Sequence, residues 1–243
     1  MFKAVAAFMA AFLFFGQPAK AEKAEAKGDY VVMLHGIART SGNMEKMEKA
    51  FAKEGYAVLN IDYPSRKATI ENLAEELHPK ITAFATDETR KIHFVGHSMG
   101  CILARAYIFK HRPKNLGRVV MLGPPNKGSE VADFLKDNFI FQGYYGPAGQ
   151  ELATDNAFDR EFGKIDYETG IIAGDRTIDP VSSYLILKGP NDGKVTVENT
   201  KAEGMTDHIV IHATHTFIMK NKQAIAQALH FVKNGKFARE EKK

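Results

Sequence analysis

Cysteine is almost absent from this chain, because Cys101 is the only one among 243 residues. A single cysteine cannot pair within the chain, which excludes a disulfide scaffold. Cys101 follows Gly100 at the start of a predicted helix, so we expect a buried structural thiol. Strong charge of one sign is also missing, since the net charge is only +4. No basic stripe with interleaved aromatics occurs, and binding to nucleic acid is therefore not expected.

Long hydrophobic runs are missing from the chain except at its amino terminus. There Lys3 precedes twelve apolar residues, 4–15, and Ala19-Lys20-Ala21 follows them. This pattern is typical of a secretory signal peptide over residues 1–21, cleaved near Ala21. The run is shorter than the ~20 apolar residues of a membrane-spanning helix. We therefore expect an exported protein, periplasmic or secreted, whose mature chain (22–243) has no transmembrane segment.

The rest of the chain alternates apolar runs of strand length with segments of helical periodicity. Six strands are predicted, at 30–34, 56–61, 92–95, 118–122, 170–174 and 208–212. Helices are predicted over about 41–54, from about 69, from the Ser98 turn to about 111, and from about 217. The strands are continuously apolar, which indicates burial on both faces. The alternation predicts an α/β fold with a mostly parallel central sheet and helices on both faces.

One long segment, about 124–168, breaks this alternation and contains no predicted element. Within this segment, a stretch of twelve residues contains five aromatics, namely Phe134, Phe139, Phe141, Tyr144 and Tyr145. A long insertion in a compact domain is often a functional loop or lid. The segment is therefore interpreted as a small lid-like insertion. Its aromatics either form an apolar acyl pocket or pack on the core.

Residues 96–100 read Gly-His-Ser-Met-Gly and lie between a predicted strand and a predicted helix. The G-x-S-x-G pattern in this context is typical of a nucleophile elbow, in which a strained turn lifts the serine hydroxyl clear of the sheet. Glycines two residues to either side avoid a collision between the strand and the helix. We therefore predict that Ser98 is a catalytic nucleophile.

A nucleophilic serine needs a histidine base and an orienting carboxylate, which follow it in the order acid, then histidine. Among the later histidines, His215 is favoured because it comes three residues after the last predicted strand, at the carboxyl edge of the sheet. The alternatives are His212 and His208, at the ends of that strand, and His230, inside the last helix. Asp175 follows a strand directly, whereas Asp192 precedes a glycine in a tight turn. Asp207 is a weaker candidate for the acid.

Two backbone N–H groups are predicted to form an oxyanion hole. One belongs to Met99, the residue after the nucleophile, and the other to Ile37, in the loop after the first strand. Gly36 allows that loop to turn its amide inward. His35 precedes Ser98 in the chain and abuts the hole, so we interpret it as a structural histidine that hydrogen-bonds the loop.

These residues lie in five segments that together resemble the α/β-hydrolase superfamily, on the side of its bacterial lipase-like and esterase-like members. The segments are MLHGIARTSGNM, VGHSMG, LGPPNKGSEVAD, GPNDGKV and HATHTFIM, within residues 30–232. The resemblance implies the α/β-hydrolase fold, with the insertion beginning near PPNKGSEVAD. In such lipases the triad acid precedes a glycine in a turn of this kind, which favours Asp192 over Asp175.

The expected activity is hydrolysis of carboxylic esters through Ser98, His215 and Asp192 by way of an acyl-enzyme. We expect a small-molecule ester or lipid substrate, and the chemistry needs neither a metal nor an organic cofactor. The same three residues could serve an acyltransferase or a thioesterase, because one fold hosts many activities. A non-catalytic binding module is a further alternative, but it would have no reason to keep all three residue types in order.

Overall fold

The computed structural model describes residues 28–135, 137–154, 158–178 and 182–239. Its strands are β1 (Tyr30–Leu34), β2 (Ala57–Ile61), β3 (Ile92–His97), β4 (Leu116–Leu122), β5 (Thr169–Gly174) and β6 (Asp207–Ile211). They form one sheet in the order β2-β1-β3-β4-β5-β6, and every neighbouring pair is parallel. All six carboxyl ends therefore meet at one edge of the sheet. The predicted parallel α/β architecture is confirmed.

Helices cover both faces of this sheet. The longer ones are α1 (Glu45–Lys53), α2 (Ile70–Phe84), α3 (Met99–His111) and, near the carboxyl terminus, α8 (Lys222–Asn234). Leu73 of α2 and Ile102 of α3 belong to one buried apolar cluster, whereas Phe51 of α1 and Phe231 of α8 belong to the other. Side chains of a strand alternate between its two faces. Successive residues of β1 accordingly enter the two clusters in turn.

Three of the four inner strands are buried along their length, as their continuous apolar sequences predict, and the fourth, β4, is buried from Val119 to Leu122. Every residue of β1, β3 and β5 is buried, whereas the edge strands β2 and β6 are half-buried over most of their residues. Cys101 is fully buried at the start of α3, and this burial raises the pKa of its thiol. The prediction of a structural thiol is confirmed.

Two predictions about local structure are corrected. The segment expected to be irregular contains three helices, α4 (Glu130–Leu135), α5 (Phe139–Glu151) and α6 (Phe158–Glu161). Its sequence hid them because α5 is broken at Gly146, whose φ is 64°. The last helix, α8, begins at Lys222 rather than near residue 217. A short 3₁₀ turn (Ile218–Lys220) precedes it, and the Asn221 side chain accepts from the N–H groups of Gln223 and Ala224 as its N-cap.

The remaining described elements are a 3₁₀ turn (Ser41–Asn43), a π-helical turn (Ser182–Ile186) and α7 (Val197–Thr200). The predicted signal peptide, residues 1–21, lies outside the described residues, so export stays a prediction that the amino-terminal sequence of the exported protein would test. Within the described ranges, none of the helices combines the length and the apolar character needed to cross a membrane.

Candidate active site

Ser98 lies in the tight turn between β3 and α3, at the carboxyl edge of the sheet. Its backbone has φ 53° and ψ −125°, a left-handed conformation that costs about 1–3 kcal/mol for a residue other than glycine. The Ser98 N–H donates to the Leu122 carbonyl at 2.9 Å, which ties the turn to the end of β4. The turn is therefore held in its strained form by the sheet itself.

The two glycines that flank this turn leave room for close backbone contacts. A Cβ at Gly100 would lie 2.3 Å from the Leu34 carbonyl oxygen of β1. A Cβ at Gly96 would lie 2.7 Å from the backbone nitrogen and Cα of Cys101. Neither contact can be relieved by rotating a side chain, because both partners are backbone. The two glycines thus avoid a collision between backbone segments, as the sequence suggested.

The structure brings Ser98, His215 and Asp192 together. The Ser98 hydroxyl lies 2.9 Å from His215 Nε2, and His215 Nδ1 lies 2.7 Å from Asp192 Oδ2. A carboxylate only accepts hydrogen bonds, so Nδ1 carries the proton and Nε2 is left to accept from the serine. Ser98 is 7% exposed and the Asp192 side chain is fully buried. The three side chains form one continuous hydrogen-bonded chain that runs from the cavity surface to a buried carboxylate.

Asp192 is held in place by the turn that follows it. Its Oδ1 accepts from the backbone N–H groups of Lys194 at 3.0 Å and Val195 at 2.9 Å. Gly193 has φ 96°, which allows the chain to fold back in this way. The backbone also joins the acid to the base, because the His215 N–H donates to the Asp192 carbonyl at 2.9 Å. Both carboxylate oxygens thus have partners, and the carboxylate is fixed in orientation.

Gly123, at the end of β4, forms the surface against which the acid and the base rest. Its φ is 54°, and a Cβ there would lie 3.0 Å from Asp192 Oδ2 and 3.2 Å from His215 Nδ1. The Gly123 N–H donates to the Ile172 carbonyl of β5 at 2.9 Å. A side chain at this position would crowd both groups, so the end of β4 requires a residue without a side chain.

The alternative bases and acids have other partners. Asp175 and His212 pair with each other at 3.0 Å on the surface, with His212 72% exposed. His208 Nε2 lies 3.0 Å from the Thr200 hydroxyl. His230 Nδ1–H donates to the Lys236 carbonyl. Asp207 forms an ion pair with Arg239. The geometry thus separates the candidates that the sequence left open.

Ile37 lines the same cavity as Ser98, Met99 follows Ser98 directly, and the backbone N–H groups of both have no hydrogen-bond acceptor in the part of the chain described. Met99 is the first residue of α3, where an amide has no intrahelical partner. A Cβ at Gly36 would lie 3.2 Å from Ser98 Cβ, so the loop that carries Ile37 lies close to the serine. This arrangement suits the predicted oxyanion hole.

The loop that carries Ile37 is braced by the segment after β2. His35 Nδ1–H donates to the Gly36 carbonyl at 2.8 Å, and the Tyr63 ring stacks on the His35 ring at 4.0 Å. Ala38 has φ 55°, and its N–H donates to the buried Ser65 hydroxyl at 3.1 Å. The structural role expected for His35 agrees with these contacts. No sequence pattern pointed to Tyr63 or Ser65, because both act through tertiary contacts.

His97, inside the Gly-His-Ser-Met-Gly segment, is a third residue whose contribution the sequence did not reveal. Its Nε2–H donates to the His215 carbonyl at 2.9 Å, so the His215 backbone is held from two sides. Burial places the pKa of His97 well below its usual value. The ring therefore stays neutral and adds no positive charge beside the proposed base.

A cavity of about 140 Å³ opens above Ser98 and His215. Its apolar wall comes from the loop after β1 and from the insertion, namely Ile37, Pro125, Val131, Ala132, Tyr145 and Leu152. The sequence left open whether the five aromatics of the insertion form an acyl pocket or pack on the core. Tyr145 lines the cavity, whereas Phe134 and Tyr144 are 70% and 53% exposed and lie outside the lining. The side chains of Phe139 and Phe141 lie outside the described part.

Among the described residues, no three histidine, cysteine or acidic side chains are grouped closely enough to hold a metal ion.

A sequence model of the family described as Palmitoyl protein thioesterase matches residues 30–164, which is more than half of the chain. This range includes Ser98, Ile37 and Met99 and ends before Asp192 and His215. It also covers the insertion up to α6. The match therefore extends over the nucleophile half of the site.

Solved structures of lipases and esterases are similar to this chain over most of its length. The mature lipase BlEst2 of Bacillus licheniformis has a TM-score of 0.69 and 21% identity, covering 90% of this chain and 96% of that one. The phospholipase PlaB of Legionella pneumophila has a TM-score of 0.62 and 14% identity, covering 84% of this chain and 57% of that one. The metagenomic carboxyl esterase MGS0156 has a TM-score of 0.60 and 16% identity, covering 84% of this chain and 69% of that one. These similarities confirm the α/β-hydrolase fold.

Proposed function

The chain belongs to the palmitoyl protein thioesterase family of hydrolases, and from this membership and the geometry at Ser98 we propose that it cleaves carboxylic acyl esters through an acyl-enzyme. The observation that carries the proposal is the hydrogen-bonded chain from the Ser98 hydroxyl through His215 to Asp192, with distances of 2.9 and 2.7 Å. Nucleophile and base within hydrogen-bond reach, with the base oriented by a third group, is the arrangement that activates a serine.

Acylation begins when Ser98 Oγ attacks the carbonyl carbon and His215 Nε2 takes the hydroxyl proton. The carbonyl oxygen becomes an oxyanion, which accepts hydrogen bonds from the N–H groups of Ile37 and Met99. Each such donor contributes about 10²–10³ in rate. Asp192 holds the imidazole in the required tautomer and stabilises its cation without becoming protonated. Collapse of the intermediate breaks the bond to the leaving group, which takes the proton from His215.

Deacylation repeats these steps with water as the nucleophile. His215 takes a proton from the water as its oxygen attacks the acyl carbon, and the same two N–H groups hold the second oxyanion. The bond to Ser98 Oγ then breaks, and the serine recovers its proton from His215. The products are the free carboxylic acid and the regenerated hydroxyl, and every step uses groups of this chain and one water.

A fluorophosphonate probe tests this assignment, because such probes phosphonylate activated serines. We expect the native protein to gain one phosphonyl group on the peptide that contains Ser98. Ser129 lines the same cavity, but its hydroxyl donates to the Lys194 carbonyl at 2.9 Å, so its peptide is the internal control and stays unmodified. Heat-unfolded protein should not react. Modification of Ser129 instead, or reaction that survives unfolding, would contradict the proposal.

The second candidate function is hydrolysis of thioesters, which the family match favours. A thiol is more acidic than an alcohol, with a pKa near 8.5, so it leaves with less help from a general acid. Matched oxygen esters and thioesters of the same acyl group separate the two activities. A kcat/KM at least about tenfold higher for the thioester would assign the preference to that class.

Acyl length is expected to matter because the cavity is small and apolar. Each buried methylene contributes about 0.8 kcal/mol, which corresponds to about fourfold in kcat/KM. The cavity of about 140 Å³ is well below the ~300–1,000 Å³ of pockets that enclose drug-sized ligands. On p-nitrophenyl esters from acetyl to palmitoyl, we expect kcat/KM to rise over the short chains and to stop rising well before palmitoyl. A steady rise to palmitoyl would contradict this account.

A further inference from the structure

A second concavity lies beside the candidate active site. It is a groove of about 360 Å³ on the other side of the His215 loop, which we define as residues 213–217. Thr216 of this loop lines the Ser98 cavity, whereas Ala213, Thr214 and Phe217 line the groove. The His215 loop is thus a thin wall between the two, and a ligand in the groove would lie within a few residues of the proposed base.

The groove is positively charged. Arg176 and Lys220 line it, and neither forms an ion pair within the described ranges. Glu45 feels the positive charge of Lys220 at longer range, but its ion pair is with Lys49, at 2.5 Å. No aspartate or glutamate from the described part of the chain belongs to the lining.

Two further features of the groove bear on its charge. His212 also lines it, and the Asp175 carboxylate, which is not part of the lining, is held by the Nδ1 of that ring at 3.0 Å. Asn221, the N-cap of the thirteen-residue helix α8, lies in the groove wall as well. The amino-terminal end of a helix carries a partial positive charge and favours anions. The cationic side chains and the amino-terminal end of α8 therefore both favour a negatively charged ligand.

Thr214 supplies an independent observation. This residue is 7% exposed and lines the groove, and its buried hydroxyl has no hydrogen-bond partner among the described residues. Its carbonyl oxygen is already engaged by the N–H groups of Phe217 and Ile218. A buried hydroxyl without a partner costs about 1–3 kcal/mol, and rotation of the Thr214 side chain toward a ligand oxygen in the groove would recover that loss.

Apolar side chains flank the charged part of the groove. Ile178 is 65% exposed and Phe217 is 53% exposed, and both belong to the lining. Large apolar side chains exposed next to unpaired cations match a ligand with an acidic head and an aliphatic tail. Inorganic anions would use only the cations, and neutral amphiphiles would use only the apolar flank.

We propose that this groove binds aliphatic carboxylates, with the carboxylate at Arg176, Lys220 and the Thr214 hydroxyl and the chain along Ile178 and Phe217. Hydrolysis of an acyl ester releases such a molecule, so the groove would hold the acyl product after it leaves Ser98. In this last respect the inference rests on the function proposed above. Binding itself does not require the reaction.

The experiment follows the methyl NMR signals of Ile178 and Ile37 during titration of the Ser98→Ala protein with octanoate. Ile178 reports the groove and Ile37 reports the Ser98 cavity. Because this variant has no nucleophile, binding is measured whether or not the proposed function is correct. We expect octanoate to shift the Ile178 signal saturably. Acetate, which has no chain, and octyl glucoside, which has no charge, should each bind at least about tenfold more weakly.

Variants test which groups hold the carboxylate. Arg176→Gln with Lys220→Gln should weaken octanoate binding at Ile178 about tenfold, a loss of ~1.4 kcal/mol. Thr214→Val, which removes only the hydroxyl, should weaken it several-fold. Lys80→Gln with Lys114→Gln removes the same charge from exposed residues outside the groove lining and should change nothing.

Each contrary outcome overturns the inference. An unmoved Ile178 signal, equal binding of acetate or octyl glucoside, or unchanged affinity in the Arg176→Gln, Lys220→Gln protein would show that the groove is not a carboxylate site. If octanoate binds at Ile178 but the wild-type protein hydrolyses no ester, only the proposed function is overturned.

Discussion

Ser98→Ala is expected to lower kcat on p-nitrophenyl butyrate by roughly 10⁶, which is the scale of losing the nucleophile of a serine hydrolase. The change removes one oxygen atom whose hydrogen bond to His215 is 2.9 Å long. The fold should be unaffected, because alanine can keep the same backbone at a turn that is tied to Leu122. Thermal unfolding of both proteins, measured by circular dichroism, checks that point.

Ser129→Ala is the matched control for this change. It removes a hydroxyl from the wall of the same cavity, and we expect kcat to change by less than about fivefold, because its partner is only the Lys194 carbonyl. A Ser98→Ala protein that retains activity within a factor of ten of the wild type would remove Ser98 from the mechanism. Equal losses in the two variants would indicate general damage to the cavity.

The second large effect is expected at the acid. Asp192→Asn should lower kcat by about 10⁴, because an amide in place of the carboxylate favours the wrong imidazole tautomer and cannot stabilise the cation. The asparagine Oδ1 can still accept from the N–H groups of Lys194 and Val195, so the turn should stay intact. Steady-state kinetics on the same ester provide the measurement.

Asp175→Asn is the control for the acid, because Asp175 was the rival in the sequence and also binds a histidine. Its pair with His212 lies on the surface, and exposed pairs contribute at most about 1 kcal/mol. We expect kcat to stay within about twofold of the wild type. A larger loss at Asp175 than at Asp192 would reverse the assignment of the acid.

Much of the fold was predictable because its signals are local. Continuous apolar runs marked the inner strands, and Gly-His-Ser-Met-Gly between a strand and a helix marked the turn at Ser98. The insertion was misread because its helices are short and α5 breaks at Gly146. A broken helix of this kind shows little periodicity, although its backbone is helical on both sides of the break.

The site was predictable to the extent that chain order and turn chemistry constrain it. The Asp-Gly turn pointed to Asp192, and the position after the last strand pointed to His215. The supporting contacts were not predictable. Ser65, Tyr63 and His97 act on the loops around Ser98 from distant positions in the chain, and no spacing in the sequence encodes such contacts.

Gly123, at the end of β4, ties the geometry of the candidate site to the sheet. Asp192 and His215 come from two separate parts of the chain, yet both lie against this one strand end, which is itself bonded to β5. A substitution at Gly123 therefore disturbs both groups at once, although the residue has no side chain and takes no part in the chemistry. A loss of activity caused by a change at this position would reflect altered spacing rather than a missing reactive group.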